Sequence, residues 1–160
     1  MRLISDDGAV VELRVTGYQI PDLAGPHDPA GDARWDANWL TVLGRVTTSN
    51  GRGWEFSDPC LMVEEAHALS GWLRTAAVGR FPGYRRREGS ALTFLEPNLE
   101  FALRSRTADR AVLRVRFSYE SAPEPTLRGR PVAVLVRMRP DALLRAGGEW
   151  SEEIARFPQR

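Results

Sequence analysis

The sequence holds one cysteine, Cys60, two histidines, His27 and His67, and no lysine; its basic side chains are arginines. A lone cysteine excludes an internal disulfide and fits a reducing compartment. No apolar run approaches the roughly 20 residues that a membrane span needs. The opening stretch, MRLISDDGAV, lacks the apolar core of a secretory signal. These absences read together as a cytoplasmic protein. The exclusive use of arginine reads as coding bias and carries no functional weight.

What is present is ordinary for a folded protein. The 160 residues are 42% hydrophobic and 27% charged, which suits a single domain over 1–160. The net charge of +1 is unevenly spread. Residues 1–79 carry six arginines against eleven acids, and residues 80–137 carry twelve against six. An acidic face and a basic face are one reading of this split; charges interleaved by folding are the other.

Period-two alternation dominates the chain. In VVELRVTGY, Val11, Leu13 and Val15 point one way and Glu12, Arg14 and Thr16 the other. RAVLRVRFSYE repeats the pattern, and NWLTVLGRVTTS, ALTFL, LEFALRS and VAVLVRM also read as strands. Asn50-Gly51 marks a hairpin over 39–57. Helical spacing occurs twice. After Pro59, Met62, Ala66, Leu69, Leu73 and Ala76 form one apolar stripe, as do Leu143, Gly147, Trp150, Ile154 and Phe157 near the end. Gly147-Gly148 is expected to kink or interrupt that second helix. The predicted fold is α+β: a mainly antiparallel, curved sheet of about eight strands with two helices packed on it, ordered four strands, helix, four strands, helix. Trp39, Trp54 and Trp72 are expected in the core.

The stretch GWEFSDPCLMVEEAHALSGWLR poses the question of a thiol site. Seven helical positions separate Cys60 from His67 by roughly 10 Å along the axis. A nucleophile and its base must meet within about 3 Å. The better reading is structural, with Asp58 as N-cap, Pro59 at the first helical position and Cys60 packed as a small apolar side chain. In HDPAGDARWD, His27, Asp28, Asp32 and Asp36 match neither a calcium loop nor a zinc signature, so no metal or other cofactor is expected. Glu96 sits beside Pro97-Asn98, which reads first as a turn and second as an acid–base site. Arg85, Arg86 and Arg87, with Arg80 and Tyr84 nearby, form a basic loop; Arg104, Arg114 and Arg116 fall on the wet side of strands. No nucleic-acid module accompanies them, and an arginine-rich face also suits a protein partner. Trp35, flanked by Asp32 and Asp36, is a candidate interface anchor.

Several stretches together carry a resemblance: DANWLTVLGRV (36–46), WEFSDPCL (54–61), SGWL, LTFLEPNLEF (92–101), VRFSYESAP (115–123) and ARFPQR at the end. The chain resembles WapI-type immunity proteins, small bacterial cytoplasmic proteins associated with polymorphic wall-associated toxins. The resemblance implies an inhibitor and not an enzyme. Its partner would be the toxic C-terminal domain delivered by sibling or neighbouring cells, in the best-known systems one that cuts tRNA. No binding residues carry over. The near-neutral charge departs from the strongly acidic character common among immunity proteins against basic nucleases.

On this reading Asp28, Asp32, Trp35 and Asp36, with Arg85, Arg86 and Arg87, are the candidate partner-binding residues, the aspartates imitating phosphates. No membrane or direct nucleic-acid contact is expected. A small-ligand carrier with an apolar pocket between sheet and helix is the alternative. A hydrolase using Glu96 or Cys60 is the third reading.

Overall fold

A computed structural model describes residues 1–21, 37–79, 81, 91–123 and 130–160. Its strands are β1 (Arg2–Ile4), β2 (Val10–Tyr18), β3 (Trp39–Thr47) and β4 (Gly53–Met62), then β5 (Ala91–Thr93), β6 (Leu99–Arg106), β7 (Ala111–Phe117) and β8 (Val132–Met138). Helix α1 (Val63–Val78) follows β4, and helix α2 (Pro140–Ile154) follows β8. The anticipated order of four strands, helix, four strands, helix holds among the described residues, with every pairing antiparallel.

The strands divide into two four-stranded meanders, β1-β2-β3-β4 and β5-β6-β7-β8, rather than one continuous sheet. They adjoin where β1 ends: the Asp6 N–H donates to Arg137 O at 2.7 Å and the Arg137 N–H to Ser5 Oγ at 2.9 Å. A ladder goes no further there, because the chain turns back at Gly8, whose φ of 86° suits glycine. One apolar cluster joins the inner faces of both sheets to both helices, with Leu13, Val42, Phe101, Phe117, Leu73 and Trp150 at its centre. This burial is the main force holding the sheets together.

Helix α1 starts later than its sequence suggests. Asp58 and Pro59 lie within β4, and the N-cap is Met62. The reason is a β-bulge: Thr41 pairs with Pro59 and Leu40 with Leu61, so Cys60 is the extra residue. β4 is the sheet edge, where a proline can sit without costing a ladder bond. Glu65 then caps the helix by accepting the Met62 N–H at 3.0 Å. The helix ends at Gly79, left-handed with φ 71°.

Helix α2 is continuous through Gly147-Gly148, against the expected kink. Gly147 is where the two helices cross: a Cβ there would lie 3.3 Å from Leu73 Cβ. Ser70 Oγ donates to Gly147 O at 3.2 Å, and Trp150 Nε1 donates to Ala66 O at 2.8 Å. Glu153 ties α2 to the first sheet, accepting from the Met1 amine at 3.1 Å and the Val15 N–H at 2.8 Å.

Of the three tryptophans expected inside, Trp72 is buried and Trp54 is half-buried against the core. Trp39 is half-buried and stands on the opposite face from its buried neighbour Leu40, because alternation along β3 turns it outward. Gly44 opposes Phe56 across β3 and β4, and a Cβ there would fall 2.0 Å from the Phe56 ring. Phe56 is itself buried and packs edge-on to Phe117. Gly44→Ala therefore forces that ring to move and should destabilise the fold by about 1–3 kcal/mol, read as a shifted denaturant midpoint with unchanged slope. An unchanged midpoint would show that the Phe56 ring is not held against Gly44.

Candidate partner-binding surface

Asp28, Asp32, Trp35, Asp36, Arg85, Arg86 and Arg87 lie outside the described residues, as do His27, Arg80 and Tyr84. The other sequence candidates can be placed. Arg104 is exposed, whereas Arg114 and Arg116 both reach Glu100, at 2.5 and 3.3 Å. The outer face of the second sheet is therefore partly neutralised rather than an open row of cations. The outer face of the first sheet is balanced too: Arg2 lies 4.0 Å from Glu12, Glu12 opposes Arg45, and Arg45 meets Glu55 at 2.6 Å.

The thiol reading fails on placement. Cys60 is fully buried, and burial, followed by the nearby Asp58 carboxylate, pushes its thiol above the ordinary cysteine range. A protonated, enclosed thiol is a poor nucleophile. His67 is exposed on α1. Glu96 is exposed in the turn before β6, as its Pro-Asn neighbours suggested. Among the described residues no group of three or more His, Cys, Asp or Glu could hold a metal. Two recesses bordered by described residues lie at the surface. One, of about 470 Å³, is lined by polar residues that include Asp6, Asp109, Arg110 and Arg139. The other, of about 230 Å³, sits beside the β3–β4 turn at Thr48 and Trp54.

The quoted motifs converge instead at one corner. Asn98, from EPNL, is 3% exposed. Its Nδ2 donates to Asp58 Oδ2, from SDPC, at 2.7 Å. Its backbone oxygen accepts the Ser118 N–H at 2.9 Å and Ser121 Oγ at 2.5 Å, both from SYES. Trp54 Nε1 completes the knot by donating to Ser121 O at 2.9 Å. β4, the turn before β6 and the short 3₁₀ turn Tyr119–Ser121 are thus fastened together. Tyr119 adopts φ 50°, a left-handed conformation that costs a non-glycine residue about 1 kcal/mol; its carbonyl accepts the Ala122 N–H at 3.0 Å. In the neighbouring turn the Leu95 N–H donates to Glu65 Oε1 at 2.6 Å.

This corner is acidic. Burial raises the Asp58 carboxyl above its ordinary value, and the charges of Glu120 and Glu96 raise it further, against the stabilising bond from Asn98. By spacing alone Asp58 reads as a helix N-cap, Glu96 as part of a turn and Tyr119 as an inward-facing strand residue. Tyr119 instead points to solvent, because β7 ends at Phe117 and a 3₁₀ turn begins at Tyr119. The available signal was one polar motif closing each of three strands.

A second convergence joins DANWL to ARFPQR. The Asn38 side chain donates to Arg160 O at 3.2 Å and accepts the Arg160 N–H at 2.9 Å. The Arg160 guanidinium stacks 3.5 Å above the Tyr18 ring, whose hydroxyl donates to Pro158 O.

Two outcomes follow. A carboxyl with a raised folded pKa binds its proton more tightly when folded, so its contribution favours folding at low pH and is lost as pH rises through that pKa. Asp58→Asn should therefore raise the melting temperature near pH 7, and the gain should shrink towards pH 4. A gain that grows with acidity would contradict this. The Cys60 thiol should react with a thiol reagent only at the rate of unfolding, which labelling with and without denaturant will show.

The model of the immunity protein WapI-like family matches residues 2–158. No curated protein and no solved structure matches the chain. All the quoted motif positions at the Asn98 corner fall within the matched span, which covers nearly the whole length. The chain belongs to the WapI-like family of immunity proteins.

Proposed function

We propose that this protein is a bacterial cytoplasmic immunity protein that binds the C-terminal domain of a cognate polymorphic toxin and occludes its substrate cleft. The observation that carries the reading is the family match over 2–158. The placement of Cys60 and Glu96 supports binding over catalysis, since one is buried and the other stands on an open turn. The mechanism needs no chemistry: complementary charge speeds encounter, and a few anchoring side chains hold the complex. If the toxin is a nuclease, Asp28, Asp32 and Asp36 stand in for substrate phosphates with Trp35 as anchor. Arg85, Arg86 and Arg87 then meet carboxylates on the partner.

The test is calorimetric titration with the C-terminal domain of a large secreted protein encoded beside this one. Stoichiometric binding that also stops the domain's activity is expected. Exchanging Asp28, Asp32 and Asp36 together for asparagine should weaken binding of a nuclease domain by about tenfold or more. Unchanged affinity would remove those aspartates from the interface, and no binding at all would remove the immunity reading.

A further inference from the structure

We infer that the corner carrying Leu95 and Tyr119 is the docking surface for a protein partner whose facing surface bears arginine or lysine around an apolar recess. This rests on the immunity reading and names a place and a chemistry for the partner. Leu95 is 69% exposed and Tyr119 59%, the two most exposed large hydrophobic side chains among the described residues. Val78 and Leu144 are also exposed, but singly, on helix surfaces, where a lone apolar side chain is ordinary. Leu95 and Tyr119 differ because the Asn98 knot brings their two turns together.

Rigidity makes the pair suitable for binding. The Leu95 backbone is held by Glu65, and the backbone either side of Tyr119 is held by Asn98 and Ser121. An aromatic anchor presented on a fixed backbone loses little freedom when it is buried, and tyrosine is among the residues that dominate interface energy.

Charge selects the partner. Asp58, Glu96 and Glu120 lie close enough for each glutamate to act on Asp58. No arginine forms an ion pair with any of the three among the described residues, although Glu12, Glu55 and Glu100 on the sheet faces all have arginine partners. Among the described residues this corner therefore keeps its negative field. Phosphate-bearing surfaces, nucleic acid and anionic lipid alike, are repelled by it. A cationic protein surface is drawn in, and closing over the apolar pair removes water from both.

The experiment compares the wild-type chain with Tyr119→Asn, since asparagine tolerates the left-handed backbone, and with the double variant Glu96→Arg, Glu120→Arg. Each is titrated with the toxin domain described above, and melting is recorded to show that folding is kept. Tyr119→Asn should weaken binding about tenfold or more. The double variant should slow association by about tenfold at low salt and remove its salt dependence. Should Tyr119→Asn fail to fold, the double variant decides alone, because both its side chains are exposed. If the wild type binds and the folded variants match it within about twofold, this surface is overturned and the immunity reading stands. If the wild type does not bind, the immunity reading fails and this inference fails with it. Self-association of the chain that is lost in these variants would also overturn it, by naming a second copy as the occupant.

Discussion

Apolar burial holds the two sheets together, and Asn98 is the buried polar residue that fixes how their edges meet. A meander of four strands leaves one apolar face and two free edges. Here the apolar faces turn towards each other and the helices fill the remaining space. At one side β1 and β8 adjoin through Asp6 and Arg137. At the other, β4 meets the start of β6 and the end of β7 through Asn98, which is nearly inaccessible to water and must find partners inside the protein. Its side-chain amide donates to Asp58 and its backbone oxygen accepts from Ser118 and Ser121, residues from distant parts of the chain. The bulge at Cys60 belongs to the same arrangement, since it bends β4 just beyond Asp58 and hands the chain to α1.

The local pattern of this fold was legible because its signals are periodic. β2 and β7 alternate, and the apolar stripes of both helices are buried where their spacing placed them, except that Phe157 lies beyond the end of α2 and is half-buried. Three features were misread for a common reason. Asp58-Pro59 looks like a helix start, Gly147-Gly148 like a break, and Trp39 like a core residue. Each is decided by a partner far away in sequence: β3 opposite the bulge, Leu73 against Gly147, and the face that alternation along β3 gives to Trp39. The division into two sheets is equally non-local. So is the meeting of the three motifs at Asn98, because no spacing within one segment encodes a contact between segments.

The site was less legible than the fold. The candidate residues at 28–36 and 85–87 fall outside the described residues. Arg114 and Arg116, which the alternation puts on the wet side of their strand, share Glu100. Net charge was also a poor guide. A total of +1 hides two sheet faces on which opposite charges meet, and one corner on which carboxylates stand without a counter-charge among the described residues. Binding responds to the local field and not to the sum. A protein with no overall acidity can therefore still present an acidic surface to a basic partner.

The central claim, that this member of the WapI-like family protects against a toxin, is tested most directly by growth. The neighbouring toxin domain would be expressed from an inducible promoter in cells that also express this protein or an empty vector. The account predicts that the domain alone stops growth and that co-expression restores it. Arrest that persists with the protein folded and abundant would contradict the account.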